Sequence, residues 1–433
     1  MAFVSDLGDR SEQQITSQTM RLTVACALLV IAAIMVLRGI WDGFPPDLSA
    51  IYMAAHVYGA GLPELMYNAP PQFFNGVPPD WVPLLPELGL TDKPVLPYVY
   101  PPIWAVLLSP LTQAIGPYTF FNTMAVIELT CMLASVGLCW RMARRFALPA
   151  WSWVLLTLGL MMTSVITFGA VMHLQPQIVV VFLILLAFER YSSGKFALAG
   201  AVLGMAAALK LAPAALVLIF LLDRQWRSFV AFSVTCAALG ALSLILAGVQ
   251  LHLDFLASAA AASATPLVTA LAYSAEIPIY AAAATLDLAP PITAGAADFR
   301  LPEVALVQIL SKALLILCLG WAIFATAKLD ADRRLVARLF LFSLLINLFG
   351  PLGWAHYFLP QLFLLPALIG LLPFRIGAVS LITVATLTSH MALPKLQSLF
   401  QSDLGLACVG AGTMLALFCV VTANLRQRPQ GTA

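Results

Sequence analysis

Long apolar runs fill most of the chain, separated by short polar joints. A bilayer core needs about 20 apolar residues per spanning helix. Runs of that order lie near 22–41, 117–140, 148–168, 174–190, 228–248, 303–327, 335–350, 357–373, 376–393 and 404–424, with shorter ones at 197–209 and 211–222. The pattern predicts a single-domain, all-α polytopic membrane protein with about 10–12 transmembrane helices. Its parts are a first helix at 22–41, a polar loop at 42–116 with short juxtamembrane helices, the remaining bundle at 117–424 and a tail at 425–433. The first run follows a polar stretch and lacks a small-residue cleavage site, so it reads as a retained helix rather than a signal peptide.

Basic residues collect on the cytoplasmic side of membrane proteins, which orients the helices. Arg10 and Arg21 put the N-terminus inside, and the loop at 42–100 is then outside. That loop carries Asp42, Asp47, Glu64, Asp80, Glu87 and Asp92 against Lys93. The apolar stretch at 103–110 is too short to span and is closed by Pro110, Gly116 and Pro117. It reads as a helix in the outer interface, because counting it as a span would put Arg141, Arg144 and Arg145 outside. The runs at 148–168 and 174–190 make a hairpin with its outer tip at 169–177. Lys195 precedes the stretch at 197–222 and Arg224 and Arg227 follow it, so both ends belong inside. Two short helices meeting at Lys210-Leu211-Ala212-Pro213 resolve this as a re-entrant pair with Lys210 deep at its tip. The loop at 249–302, with Asp254, Glu276, Asp287 and Asp298 against Arg300, is outside and part of it is expected to be interfacial helix. Lys328, Arg333, Arg334, Arg338 and Arg375 are inside, His390 and Lys395 outside, and Arg426 and Arg428 inside. Both termini are therefore expected in the cytoplasm.

Composition agrees: the chain is 61% hydrophobic and 10% charged, with mean hydropathy +0.95, whereas a soluble domain carries roughly 25% charge. A net charge of +2 gives no reason to expect a nucleic-acid partner. The seven cysteines fall in or beside apolar runs, where cysteine acts as a small apolar residue; no disulfide and no metal site is inferred. There is no P-loop, HExxH, CxxC or GxSxG, and no inverted repeat of the kind many transporters show.

Chemistry is expected on the outer face, near which all five histidines (His56, His173, His252, His356 and His390) fall. Asp47 follows two prolines that impose an extended approach, and it is suited to N-cap the helix beginning at Leu48. It acts either as a cap alone or as a carboxylate presented at a helix mouth. Ionisable groups within the membrane are functional candidates: Glu128 and Lys312, which can neutralise each other between helices, and Lys210, whose natural partner is a buried anion such as a lipid phosphate. His356 lies past a Gly-Pro-Leu-Gly-Trp break, either as a phosphate or hydroxyl contact or as part of an aromatic belt with Trp354 and Tyr357. The tip from Met172 to Gln177 offers His173, Gln175 and Gln177, groups suited to sugar hydroxyls.

Together these segments resemble glycosyltransferase family 87, a polyprenyl-phosphate-sugar-dependent branch of the GT-C superfamily. The stretches that carry the resemblance run from Asp47 to Ala55 with Gly61 and Tyr67, from Tyr100 to Leu111, Gln175-Pro176-Gln177, Ala199-Gly200 through Lys210-Leu211-Ala212-Pro213, and Pro351 through Tyr357. One departure is Leu174, where family members often have glycine before the glutamine. The resemblance implies a GT-C-type helical bundle with a lateral cavity open to the outer leaflet. It implies that Asp47 is the general base for an inverting displacement of polyprenyl phosphate, with Asp42 as an alternative base. Lys210 and His356 would bind the donor phosphate, and Asp42, Tyr52, Tyr100, His173, Gln175, Gln177, Trp354 and Tyr357 would contact substrate.

The reading is an enzyme of a bacterial inner membrane with its active site facing the periplasm or exterior. It would move one hexose or pentose, mannose foremost, from a polyprenyl-phosphate donor to an envelope glycolipid or glycan. Its partners are then donor, acceptor and membrane lipids, and it needs no cofactor or metal. A lipid-linked-sugar flippase or transporter is the rival, which should spread ionisable groups through the whole membrane depth. A ligase acting on diphosphate-linked glycans would demand more basic residues at the outer cavity.

Overall fold

The computed structural model describes residues 2–69, 76–146, 148–264, 267–292, 300–350 and 352–425, with side chains in the first helix from Thr16 onward. The Arg10 side chain, Asp298, Pro351, Arg426, Arg428 and the expected tail beyond Leu425 lie outside the described residues. Every regular element described is helical: α1 (Ala2–Ile40), α2 (Pro46–Gly59), α3 (Pro102–Ala114), α4 (Pro117–Ala143), α5 (Ala150–Thr163), α6 (Val165–Met172), α7 (Gln177–Ser192), α8 (Phe196–Leu209), α9 (Val217–Leu222), α10 (Trp226–Ser263), α11 (Glu276–Thr285), α12 (Ala305–Thr326), α13 (Ala331–Leu348), α14 (Leu359–Leu364), α15 (Leu368–Leu371), α16 (Phe374–Leu387), α17 (Leu393–Phe400) and α18 (Asp403–Asn424). Short 3-10 turns stand at Pro63–Leu65, Pro79–Leu84, Ala212–Leu216, Ala355–Phe358 and Leu365–Ala367.

The chain is an all-helical polytopic membrane protein. Five described helices are long and apolar enough to cross a bilayer: α1 from Thr16, α4, α10, α12 and α18. A sixth is made if α6 and α7, bent by 118° at 173–176, count as one. The larger number expected from apolar length took no account of breaks. Ser164 is one: it is extended, and its hydroxyl accepts from the Ile166 amide, so the run at 148–168 folds as α5 and α6. Gly248, at φ 75°, kinks α10 where the run at 228–248 ends. The run at 357–373 divides among α14, α15 and two 3-10 turns. α13 carries Asp332, Arg333, Arg334 and Arg338 along its first half.

The loop after α1 has its own core. α2 buries nearly its whole length and packs on α3 and α4, with Tyr52, Trp81, Tyr98, Phe120 and Phe121 essentially inaccessible. The juxtamembrane helices expected there are α2, α3 and the turns at Pro63–Leu65 and Pro79–Leu84.

The stretch 197–222 folds as two short segments with the chain turning back between them. α8 has 14 residues and rises about 21 Å, short of a roughly 30 Å hydrocarbon core. The Ser228 hydroxyl donates to the Phe196 carbonyl at 2.8 Å, and a β-carbon on Gly200 would lie 2.0 Å from the Ser228 carbonyl oxygen. α8 and the first part of α10 thus start side by side and run in the same direction, so the chain has turned back in between. Small residues permit this close approach.

At the end where α7 and α9 finish, Arg338 donates to Asp223 at 2.6 Å, the Tyr191 hydroxyl donates to Asp223 at 3.0 Å, and Arg141 pairs with Glu189 at 2.9 Å. The expected Glu128–Lys312 pair does not form. Glu128 is 2% exposed with Oε2 unpartnered, while the electrostatic neighbour of Lys312 is Glu276. The two helices carrying them belong to different parts of the bundle, which apolar periodicity does not reveal.

Candidate active site

Pro45, extended at φ −96° and ψ 107°, is the N-cap of α2, and no side chain caps the helix. Asp47 is therefore the second residue of the helix rather than the cap expected of it, because the chain has already turned at Pro46. Its carboxylate is left free to reach across to the turn between α6 and α7. Gln175 Nε2 donates to Asp47 Oδ2, and His173 Nδ1 lies 3.0 Å from the same oxygen. Both contacts fall on Oδ2; Oδ1 takes no protein hydrogen bond among the described residues. The hydrogen bond to Asp47 raises the His173 pKa, outweighing the opposing effect of burial.

That turn is shaped by its backbone. Leu174 occupies the left-handed region at φ 42°, the Gln175 amide donates to the Ala170 carbonyl at 2.9 Å, and Pro176 precedes α7. Gln175 and Gln177, 5% and 6% exposed, point to different partners. While Gln175 holds Asp47, Gln177 Oε1 accepts from Lys210 Nζ at 2.7 Å.

Lys210 closes α8 in extended geometry, φ −153° and ψ 129°, and the Trp104 indole anchors the helix end by donating to the Leu209 carbonyl at 2.8 Å. Its ammonium also lies 3.7 Å from the centre of the Tyr357 ring. No carboxylate forms an ion pair with it among the described residues. A partly buried ammonium whose direct contacts are an amide oxygen and a π face, with Asp47 only as a more distant electrostatic neighbour, has no direct counter-ion. It opens on a cavity of about 240 Å³ that Tyr100, Gln177, Asn347, Tyr357 and Phe255 also line.

The stretch from Gly353 to Tyr357 completes the site. Gly353 has φ 53°, and a β-carbon there would lie 2.5 Å from the Ser274 amide nitrogen. This close approach lets the Tyr273 amide donate to the Gly353 carbonyl at 2.7 Å and the Ala355 amide to Leu271 at 2.8 Å. His356 stacks on Trp354, with ring centres 6.3 Å apart, and meets Tyr357 edge-on at 4.8 Å. Its Nε2 is buried and unpartnered, with Lys210 and His173 as electrostatic neighbours.

The structure thus brings together Asp47, His173, Gln175, Gln177, Lys210, Tyr357, His356, Trp354 and Tyr100. It does not bring in two residues expected as substrate contacts. Asp42 exchanges hydrogen bonds with Asn122, at 3.0 and 2.7 Å, away from the Asp47 carboxylate. Tyr52 is buried in the loop core, its hydroxyl donating to Ile115 at 3.2 Å, because it lies on the inward face of α2. Asn347, which donates to the Tyr357 carbonyl at 2.6 Å, and Trp104 were missed from the sequence. A lone asparagine within an apolar run was the available signal for the first.

The model of glycosyltransferase family 87 matches residues 98–351, more than half the chain. The matched region holds Tyr100, His173, Gln175, Gln177 and Lys210, and excludes Asp47 and the 354–357 stretch. No curated protein matches the chain.

Proposed function

From the chain's membership of glycosyltransferase family 87, which makes it a membrane glycosyltransferase, we propose that the Asp47–Lys210 cluster is its active site and that its donor is a polyprenyl-phosphate sugar. The single sugar, mannose by resemblance, passes with inversion to an envelope glycolipid or glycan at the extracytoplasmic face of a bacterial inner membrane, with both termini in the cytoplasm. Asp47 Oδ1 accepts the proton of the acceptor hydroxyl as its oxygen attacks the anomeric carbon. The bond from that carbon to the phosphate oxygen breaks, and polyprenyl phosphate leaves with the bonding pair. Lys210 and the buried edge of His356 stabilise the charge that grows on it.

The observation that carries this reading is that one turn serves both ends of the reaction, Gln175 fixing the carboxylate and Gln177 the unbalanced cation. Its test is release of polyprenyl phosphate from radiolabelled polyprenyl-phosphate mannose in detergent, with membrane lipid extract as acceptor, comparing wild type with Asp47→Asn. The substitution should lower turnover about 100- to 10,000-fold, since the outward atom can no longer accept a proton, with donor binding retained. Turnover within tenfold of wild type would remove Asp47 as base. No release from this or other polyprenyl-phosphate sugars by folded protein would return the flippase or transporter reading.

A further inference from the structure

Asn347, at the end of α13, lines the same cavity as Lys210, Gln177 and Tyr357, and its neighbours fix which way its carboxamide faces. Its Nδ2 donates to the Tyr357 carbonyl at 2.6 Å and lies 3.5 Å from Gln361 Oε1. Gln361 is itself held in place. Its Nε2 donates to the Phe340 carbonyl at 3.2 Å and to the Ser343 hydroxyl at 2.7 Å, and that hydroxyl is committed to the Leu339 carbonyl at 2.5 Å. Two acceptors, a backbone carbonyl and the Gln361 amide oxygen, therefore require the nitrogen of Asn347 on their side.

Oδ1 is the end left over. It accepts no hydrogen bond among the described residues, yet it retains accessible surface, unlike the sealed Nε2 of His356. The side chain is partly exposed and borders the cavity, so Oδ1 opens on it. An amide oxygen accepts and cannot donate, so it needs a ligand with an O–H or N–H. In a polyprenyl-phosphate sugar the phosphate is an ionised diester and the chain is hydrocarbon, which leaves the sugar hydroxyls as its hydrogen-bond donors. Lys210 and Asn347 thus require opposite groups of one molecule: the ammonium a phosphate oxygen, the amide oxygen a hydroxyl hydrogen. The spent carrier, polyprenyl phosphate, meets the first requirement alone, because at pH 8 its phosphate monoester has given up its second proton.

We infer that Asn347 reads the sugar of the donor: its Oδ1 accepts a hydrogen bond from one sugar hydroxyl, a contact that the spent carrier lacks. The inference rests on the proposed donor and on its seat beside Lys210. A hydrogen bond of ordinary strength favours the loaded carrier over the spent one by about 3- to 10-fold. The same contact sets specificity, since a deoxy sugar without that hydroxyl leaves Oδ1 unpaired. It also helps turnover, because the contact departs with the sugar and polyprenyl phosphate is then held less tightly.

The test reads binding rather than turnover. Equilibrium affinities of radiolabelled polyprenyl-phosphate mannose and radiolabelled polyprenyl phosphate are measured at pH 8 in detergent for the full chain, Asn347→Leu and Lys210→Met. Asn347→Leu should weaken the mannose donor about 3- to 10-fold and polyprenyl phosphate less than about twofold, whereas Lys210→Met should weaken both. Among monodeoxy-mannose donors, one should bind wild type about 3- to 10-fold more weakly than the parent and bind Asn347→Leu as the parent does, which names the hydroxyl. Equal weakening of both ligands by Asn347→Leu would show that the side chain acts only by holding the Tyr357 carbonyl, and would overturn the inference. Unchanged donor affinity, or deoxy donors whose losses are the same in wild type and variant, would do so too. If Lys210→Met weakened neither ligand, the proposed donor site and the inference would fall together; with the Lys210 effect intact, a missing Asn347 effect overturns the inference alone.

Discussion

Lys210→Met separates a donor-binding lysine from a structural pin. In the folded chain the ammonium has two contacts, the Gln177 amide oxygen at 2.7 Å and the Tyr357 ring at 3.7 Å, and neither carries charge. A hydrogen bond to a charged group contributes about 1.5–3 kcal/mol, so loss of the phosphate contact should weaken donor binding about 10- to 150-fold. Stability should move the other way or hardly at all. Methionine matches the length of the lysine stem, and removing a partly buried cation with no direct counter-ion relieves a desolvation cost. Against this stand the lost Gln177 bond and π contact, about 1 kcal/mol each. The net effect on unfolding is then within about 1 kcal/mol, a shift of about 1 °C in a chain of 433 residues. Equilibrium binding of radiolabelled polyprenyl-phosphate mannose and thermal unfolding, in the same detergent, read the two quantities. Unchanged donor affinity together with a melting point lowered by more than that shift would refute the reasoning and make Lys210 a brace between α7 and the 355–358 turn.

His173 gains basicity from Asp47, so the stabilisation from the protonated pair is complete below its ordinary pKa of 6.5 and is lost as pH rises through the raised value. The stability gap between wild type and His173→Asn should therefore be at most about 1 kcal/mol at pH 5.5, the imidazole being half exposed, and close by pH 9; a gap independent of pH would mean the pair is not charged. Gly200→Val should destabilise by about 3 kcal/mol or more, because its β-carbon would meet the Ser228 backbone 2.0 Å away; a melting point equal to wild type would show that α8 and α10 are not so close. Leu174→Gly relieves about 1–2 kcal/mol of left-handed strain but gives up a side chain only 3% exposed, about 1.5–3 kcal/mol. It should come out up to about 2 kcal/mol less stable with turnover unchanged; a net gain would show the burial to be worth less than the strain.

Much of the candidate cluster could be read from the sequence because its residues stand at punctuation. Two prolines mark Asp47, Pro176 separates the two glutamines, Pro213 follows Lys210, and Gly350 and Gly353 precede His356. The break at Ser164 carried no such signal: a serine among apolar residues reads as helix, so α5 and α6 merged into one span. Tyr52 was misjudged for a different reason. α2 is buried on almost every side, and with no polar face its sequence cannot say which residues look into a cavity. The departure at Leu174 becomes intelligible once its φ is known. The position requires the left-handed region, which glycine meets without strain and leucine meets because its side chain is buried.

The shortfall in spanning helices and the existence of the site have one cause. Each polar group of the site stands where a helix stops: Asp47 where α2 begins, Gln175 and Gln177 between α6 and α7, Lys210 at the end of α8, His356 between α13 and α14. Backbone amides and carbonyls freed by such breaks are tolerated at membrane depth only when buried in protein or facing a polar cavity. Here they are largely satisfied locally, as in the Gln175–Ala170, Tyr273–Gly353 and Ala355–Leu271 bonds. The polar side chains of the candidate site are then free to meet one another. A bundle of ten or more unbroken helices would bury more apolar surface along continuous seams, but it would have no place at which a carboxylate and an ammonium could be brought to one turn.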